Sequence, residues 1–280
     1  MIVKALIDAI KPKQTFLLMV TFLIAYFVAG GGFNFILFKS FFATFLAIAG
    51  TTALNMFFDK DVDMIMQRTR KRPVPSGRLK PNHCLVYGST LLSIGLLISL
   101  LVDLELLIVL FLGFIFDIPI YTILLKRRSS LSILLGGIAG AMPALAGWVA
   151  VDTFSLAGIL LALIVFLWIP SHIWYISIYY EEDYRKAGIP MLPLVVGMDV
   201  ASWVIVTSIA SMLFVIIILY YVLPLNVFAL LVSILAILMF LYKAVKFALK
   251  PSRALARIMY KIASFTLGIV YFSILFGKLI

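Results

Sequence analysis

Cysteine is almost absent from this chain of 280 residues, where Cys84 stands alone. One thiol excludes a disulfide framework, a thiolate zinc site and a C-x-x-C-H haem attachment. Charge is scarce as well, at 12% of residues against 64% hydrophobic, and a mean hydropathy of +1.18 excludes a water-soluble globule. Acids are the scarcer sign, 12 against 23 Lys and Arg, and there are 2 histidines. No Ser-His-Asp or Cys-His arrangement is apparent. The apolar residues do not alternate in segments of roughly ten, which excludes an outer-membrane barrel.

What is present is a series of uncharged runs at 14–38, 40–58, 81–102, 129–151, 153–180 and 200–242. Most are long enough for the roughly 20 residues that a helix needs to cross hydrocarbon, and the last has room for two spans. They predict an all-α, polytopic integral membrane protein, one domain over 1–280, with nine transmembrane helices near 13–34, 37–58, 83–102, 104–125, 131–151, 154–178, 200–222, 225–246 and 259–279. The first run is too long for a signal-peptide core and lacks a clear small-residue cleavage site, so it is expected to remain a span. Every Lys and Arg except Lys39 and Lys278 falls at the N-terminus or in an even-numbered loop. By the positive-inside rule, the N-terminus is expected in the cytoplasm and the C-terminus outside. No aromatic-interleaved basic patch points to nucleic acid, and anchoring to anionic membrane lipid accounts for most of the cations.

Acids crowd where the cations are. Asn55, Asp59 and Asp63 recur every four residues; at 100° per residue they share one face over about 12 Å, and Asp61 points away. Hard oxygens at successive turns suit Mg²⁺ held by carboxylates and a substrate phosphate, whose charge Arg68, Arg70, Lys71 and Arg72 would neutralise. The alternative is a helix end where acids meet interfacial cations, and Asp61 fits that better. Tyr121 followed by Lys126, Arg127 and Arg128 reads either as an interfacial anchor or as a pyrophosphate contact on the same side. Asp117, inside a span, is either a functional acid or a protonated group bonded to a neighbouring helix. Glu181, Glu182 and Asp183 either pair with Arg185 and Lys186 or face the first stripe across a second metal. His172, between Trp168 and Trp174 and beside Pro170, is a packing residue or a substrate contact; His83 reads as packing.

Taken together, Asn55-x3-Asp59-x3-Asp63 with Arg68-Thr-Arg-Lys-Arg72-Pro73 resembles the first signature of the UbiA-type intramembrane prenyltransferases. The likeness continues through Tyr121-Thr-x3-Lys126-Arg-Arg, Gly136-Gly-x-Ala-Gly140-Ala-x-Pro143, Trp168-x-Pro-x-His172-x-Trp174 and Asp183-Tyr-x-x-Ala-Gly-Ile-Pro190-Met-Leu-Pro193, over roughly residues 10–275. The His172 block and the Ile-Pro-Met-Leu-Pro run narrow it to the haem-modifying branch. The quinone and lipid branches usually carry a second paired-aspartate motif, and here residue 187 is alanine.

The resemblance implies helices around a central cavity under a cytoplasmic cap, in the membrane of a prokaryotic cell. Farnesyl pyrophosphate would donate its chain to a haem B vinyl group, with water completing a hydroxyethylfarnesyl substituent. It implies Asn55, Asp59, Asp63 and Asp183 as catalytic and Mg²⁺-binding residues. Arg68, Arg72, Lys126, Arg127 and Tyr121 would lie at the pyrophosphate, and His172, Trp174 and Tyr184 at the acceptor. Ser171, Ile173 and Asp117 depart from the pattern.

The chemistry matches the inventory. An allylic pyrophosphate leaves with up to three negative charges, which metal and cations stabilise, and the allylic cation needs aromatic faces such as Phe58, Tyr121 or Trp174. Rival expectations are a quinone or ether-lipid precursor as acceptor, and a secondary transporter, which would show related halves with breaks near mid-membrane.

Overall fold

The computed structural model describes residues 2–279, and all regular structure among them is helical. A short helix α1 (Ile2–Ala9) precedes α2 (Pro12–Val28) and α3 (Phe35–Phe58), which runs on into α4 (Lys60–Ile65). After a loop come α5 (Pro81–Leu100) and α6 (Leu104–Ile115), the latter continuing as a π-helix over Phe116–Leu125. Then follow α7 (Ser132–Val149), α8 (Leu156–Tyr179), the short α9 (Glu181–Lys186), α10 (Leu192–Val222), α11 (Val227–Leu249) and α12 (Arg253–Leu279).

Eight of these helices are long and apolar enough to cross a membrane among the described residues, and the chain is a multi-pass integral membrane protein. Helix α2, with 17 residues, is shorter and stands at the low end of spanning length. Boundaries shift most in three places, the first being the end of α2, which falls six residues before the expected end of its span. Helix α12 begins six residues before the expected span, and α10 begins eight before, because Leu192–Val196 forms a helical turn ahead of a break at Gly197. There φ is +85° and ψ 161°, a conformation open to glycine, so the chain re-aims before entering the long apolar stretch.

Helices adjacent in the chain pack as neighbours, and α12 returns against α2 and α8, closing the bundle. Small residues set the spacing. A Cβ built on Gly50 of α3 would lie 2.4 Å from the Leu92 backbone nitrogen of α5, and one on Gly147 of α7 would lie 2.1 Å from the Phe22 carbonyl oxygen of α2. At both crossings backbone meets backbone, the close approach that small residues permit where lipid offers no hydrophobic drive to association.

This up-and-down course collects one set of ends together: the C-termini of α3, of the π-helix, of α8 and of α11, with the N-termini of α2, α5, α7, α10 and α12. The connections at that end hold α4, α9 and the loop 66–80. Nearly all the cations lie there too.

Candidate functional site

The stripe on α3 and α4 survives a change of element because the backbone stays in helical register. The Asp59 amide donates to the Asn55 carbonyl at 2.9 Å, and the Asp63 amide to the Asp59 carbonyl at 2.8 Å. Asn55, Asp59 and Asp63 are all buried, while the Asp61 side chain is 55% exposed, as the spacing predicts.

Each polar atom of Asn55 is used. Its amide nitrogen donates to Asp59 Oδ2 and to Thr122 Oγ1, both at 3.0 Å, and its oxygen accepts from Lys11 Nζ at 2.8 Å. Lys126 Nζ donates to the same Asp59 Oδ2 at 2.5 Å, whereas Asp59 Oδ1 is buried with no hydrogen-bond partner. Asp63 receives both its bonds from Arg72 Nη1, at 2.9 and 2.7 Å. Asp183, on α9, accepts from the Arg68 backbone amide at 3.0 Å, and Arg68 Nη2 meets the Tyr184 hydroxyl at 3.3 Å. The loop after α4 is thereby tied to α9, with the first acidic stripe on one side and Asp183 on the other.

Lys11 and Thr122 escape a reading by sequence pattern. Lys11 looks like one more topology cation, yet it is the one non-glycine residue at positive φ among the described residues (φ 46°) and carries its ammonium to Asn55 across 44 positions of chain. Burial pushes that ammonium down to about 7, the Arg72 guanidinium adds to the fall, and Asp63, Asp59 and Asp117 oppose it. Thr122 is brought in by the π-helix. In an α-helix it would stand about 140° from Asp117; here its hydroxyl donates to the Asp117 carbonyl at 2.7 Å and the Lys126 amide reaches the Tyr121 carbonyl five residues back at 2.8 Å. Pro119, which lacks an amide proton, lies within this widened segment. Tyr121 packs against Gly136, its ring centroid 5.8 Å from Lys126 Nζ.

Four residues of these motifs sit elsewhere than a role at the site would put them. Arg127 turns to the exposed side, where it forms two 2.7 Å bonds with Asp61 and holds that carboxyl below its usual range. Glu181 and Glu182 go to Arg253, and Glu181 also to Arg185. Trp174 is a correction: two residues along α8 place it about 200° round the helix from His172, where it is fully buried in the core and has no surface to offer an acceptor. Trp168 stacks on His172 instead, with centroids 4.6 Å apart and planes 21° apart.

His172 has its Nδ1 within 3.3 Å of the Tyr260 carbonyl and 3.2 Å of the Ser264 hydroxyl, both on α12. A carbonyl only accepts, so the Tyr260 contact requires the tautomer protonated at Nδ1; in that tautomer Nε2 keeps its lone pair, for which no partner occurs among the described residues.

Among the described residues no three His, Cys, Asp or Glu side chains converge closely enough to cage a metal ion by themselves. The donors do fit an ion that takes few protein ligands and completes its shell with phosphate: a buried, unpartnered Asp59 oxygen stands beside the Asn55 amide, with Lys11, Lys126 and Arg72 around it.

The fold and long stretches of the sequence have counterparts in known proteins. Residues 17–266 match the UbiA prenyltransferase family. A protoheme IX farnesyltransferase of Archaeoglobus fulgidus is 61% identical over 276 residues, 98% of each chain. Another of that name, from Korarchaeum cryptofilum, is 45% identical over 94% of this chain and 90% of its own. Among solved structures, one concerning digeranylgeranylglyceryl phosphate synthase superposes with a TM-score of 0.83 at 20% identity, covering 99% of this chain and 98% of that one. A UbiA homolog from Archaeoglobus fulgidus bound to DMAPP and Mg²⁺ gives 0.65 at 13% identity, over 96% and 98%. Structural likeness at these identities supports the fold, and the sequence matches settle the rest: the chain belongs to the UbiA prenyltransferase family.

Proposed function

We propose that this membrane prenyltransferase takes the farnesyl group of farnesyl pyrophosphate and attaches it to a vinyl group of haem B. The farnesyl C1 bonds to the terminal carbon of the vinyl group, water adds as a hydroxyl at the vinyl carbon next to the ring, and pyrophosphate and a proton leave. The observation that carries the proposal is the Asn55–Asp59 pair, buried at one end of an apolar bundle and faced by Lys11 and Lys126. Such an arrangement stores cationic charge where a leaving pyrophosphate develops negative charge, in surroundings that exclude bulk water. The 61% identity to a protein named for this reaction supports the choice of donor and acceptor.

Mg²⁺ would be held by Asn55 and Asp59, with Asp63 and Asp183 as the further carboxylates, and would supply Lewis-acid stabilisation of the departing oxygens. The chain's own cations do the remainder. Lys11, Lys126, Arg68 and Arg72 orient the pyrophosphate and take up its charge as the allylic bond breaks. Arg127, held by Asp61 on the exposed side, is left out of this set. The Tyr121 ring, half-buried beside Lys126, offers a face to the allylic cation. On α8, His172 would offer Nε2 to the haem iron, with the Nδ1 contact to the Tyr260 carbonyl holding the ring in place. Tyr184 sits between the two halves through Arg68.

The same proposal takes α2 as a ninth span and puts the acid-rich end in the cytoplasm of a prokaryotic plasma membrane, following the asymmetry of Lys and Arg. The test of acceptor and donor is a cross of substrates: purified protein with Mg²⁺, farnesyl or geranylgeranyl pyrophosphate, and haem B, a quinone precursor or a glycerol-ether precursor. Prenylated haem from the farnesyl donor is the expected product. A prenylated quinone or lipid with unchanged haem would overturn the acceptor.

A further inference from the structure

A run of aromatic rings leads from the acid-rich end down to His172. Arg68 lies over the Tyr180 ring at 5.7 Å, Tyr180 meets Tyr179 at 4.6 Å, Tyr179 meets Tyr260 at 6.4 Å, and Tyr260 meets His172 at 6.1 Å. Arg257 of α12 lies over Tyr179 at 5.6 Å. The two arginines therefore cap one aromatic path whose far end is the Trp168–His172 stack.

The cations along this edge of α12 differ in what they touch. Arg253 is consumed by Glu181 and Glu182. Arg257 and Lys261, one turn apart, form no ion pair among the described residues, although Glu181, Glu182 and Asp183 lie on the adjoining helix. Arg257, Lys261, Ser264 and Gly268 fall on one stripe of α12. The first three are exposed, and a Cβ built on Gly268 would meet nothing within 4 Å, so the stripe borders open space alongside α8. Ser264 touches His172 Nδ1, and Arg257 stands seven residues, about 10 Å, along the helix from Ser264 toward the charged end.

Resting on the proposed acceptor, we infer that the α8–α12 face is the acceptor site and that Arg257, with Lys261, anchors the carboxylates of the macrocycle. A flat tetrapyrrole with its iron at His172 Nε2 would stand across the Trp168–His172 stack, and its two carboxylate arms would extend toward the polar end of the bundle. A guanidinium already held over a ring keeps its N–H edge for a carboxylate, and the pair matches two acids with two cations. The vinyl-bearing edge of the macrocycle is then free to face the Asp59 network, linked to this path through Arg68.

The experiment compares haem B with haem B dimethyl ester, which keeps the ring and iron and loses both carboxylate charges. Each is titrated into the purified protein in a neutral detergent without added lipid, following the Soret band. The unaltered protein is expected to bind haem B roughly tenfold more tightly than the diester, and Arg257→Gln to lose about that factor for haem B alone. Lys278→Gln, at the opposite end, is expected to change neither. Equal affinity for haem B and the diester, or equal losses of both in Arg257→Gln, would overturn the carboxylate anchor and leave the proposed reaction standing. Failure of the unaltered protein to bind either compound would overturn the haem acceptor itself, and the anchor with it.

Discussion

Lys11 and Asn55, 44 residues apart, meet in a 2.8 Å hydrogen bond from the ammonium to the amide oxygen, and that contact joins the start of α2 to the acidic stripe of α3. Lys11 holds a left-handed backbone (φ 46°, ψ 69°), which for a residue with a Cβ costs about 1–2 kcal/mol. Strain and function separate by substitution. Lys11→Gly and Lys11→Ala are expected to raise the KM for farnesyl pyrophosphate about equally, since both remove the ammonium. The glycine variant is expected to melt at a higher temperature than the alanine variant, by the backbone cost it relieves. Equal melting temperatures would show that the positive φ stores nothing.

Among the three aspartates of the first cluster, burial and pairing set the order of importance. Asp59→Ala and Asp63→Ala are expected to lower turnover by ~10²-fold or more, and Asp61→Ala to change it little, because only the first two face the site. Assays at saturating Mg²⁺ decide it. Comparable losses at all three positions would mean that the stripe does not define the site.

Chelation supplies an independent check on the acidic end. Removal of divalent ions is expected to abolish transfer and readdition of Mg²⁺ to restore it, with inorganic pyrophosphate competing against the donor. Full activity in excess chelator would remove the metal from the mechanism.

On α8, His172 and Trp174 are expected to part company. His172→Ala should weaken haem B binding while sparing a non-hydrolysable farnesyl pyrophosphate analogue, since the imidazole borders α12 and the acidic network lies elsewhere. Trp174→Ala should lower the melting temperature, because a fully buried indole leaves a cavity costing about 3–5 kcal/mol, and any loss of haem should follow the loss of folded protein. A Trp174 variant that is stable but blind to haem would return that residue to the acceptor.

Local periodicity made the stripe, the bundle and the polarity of its ends legible in the sequence. Asn55, Asp59 and Asp63 are one face whether or not the helix is interrupted, because i to i+4 hydrogen bonds persist through Asp59. Long apolar runs fix helices in the same way. What stayed hidden depends on distance in the chain or on a change of helix type. Nothing near Lys11 announces that its partner is Asn55, and the π-helix rotates Thr122 onto the Asp117 side against the 100° rule. Arg127 shows the opposite limit: its motif suggests a phosphate ligand, but the neighbouring Asp61 carboxylate claims its guanidinium. The exchange of Trp174 for Trp168 beside His172 follows from helix geometry, since residues four apart share a face and residues two apart do not.

The most direct test is a single-turnover experiment on the lipid-reconstituted protein with Mg²⁺, haem B and farnesyl pyrophosphate, following pyrophosphate release and the mass of the extracted haem together. The unaltered protein is expected to release one pyrophosphate for each farnesylated haem formed, and Asp59→Asn, which keeps the shape of the side chain and loses its charge, to form neither above about 1% of that yield. Undiminished coupled transfer by Asp59→Asn would contradict the account, because the charge-paired Asp59 site would then not be where the pyrophosphate departs.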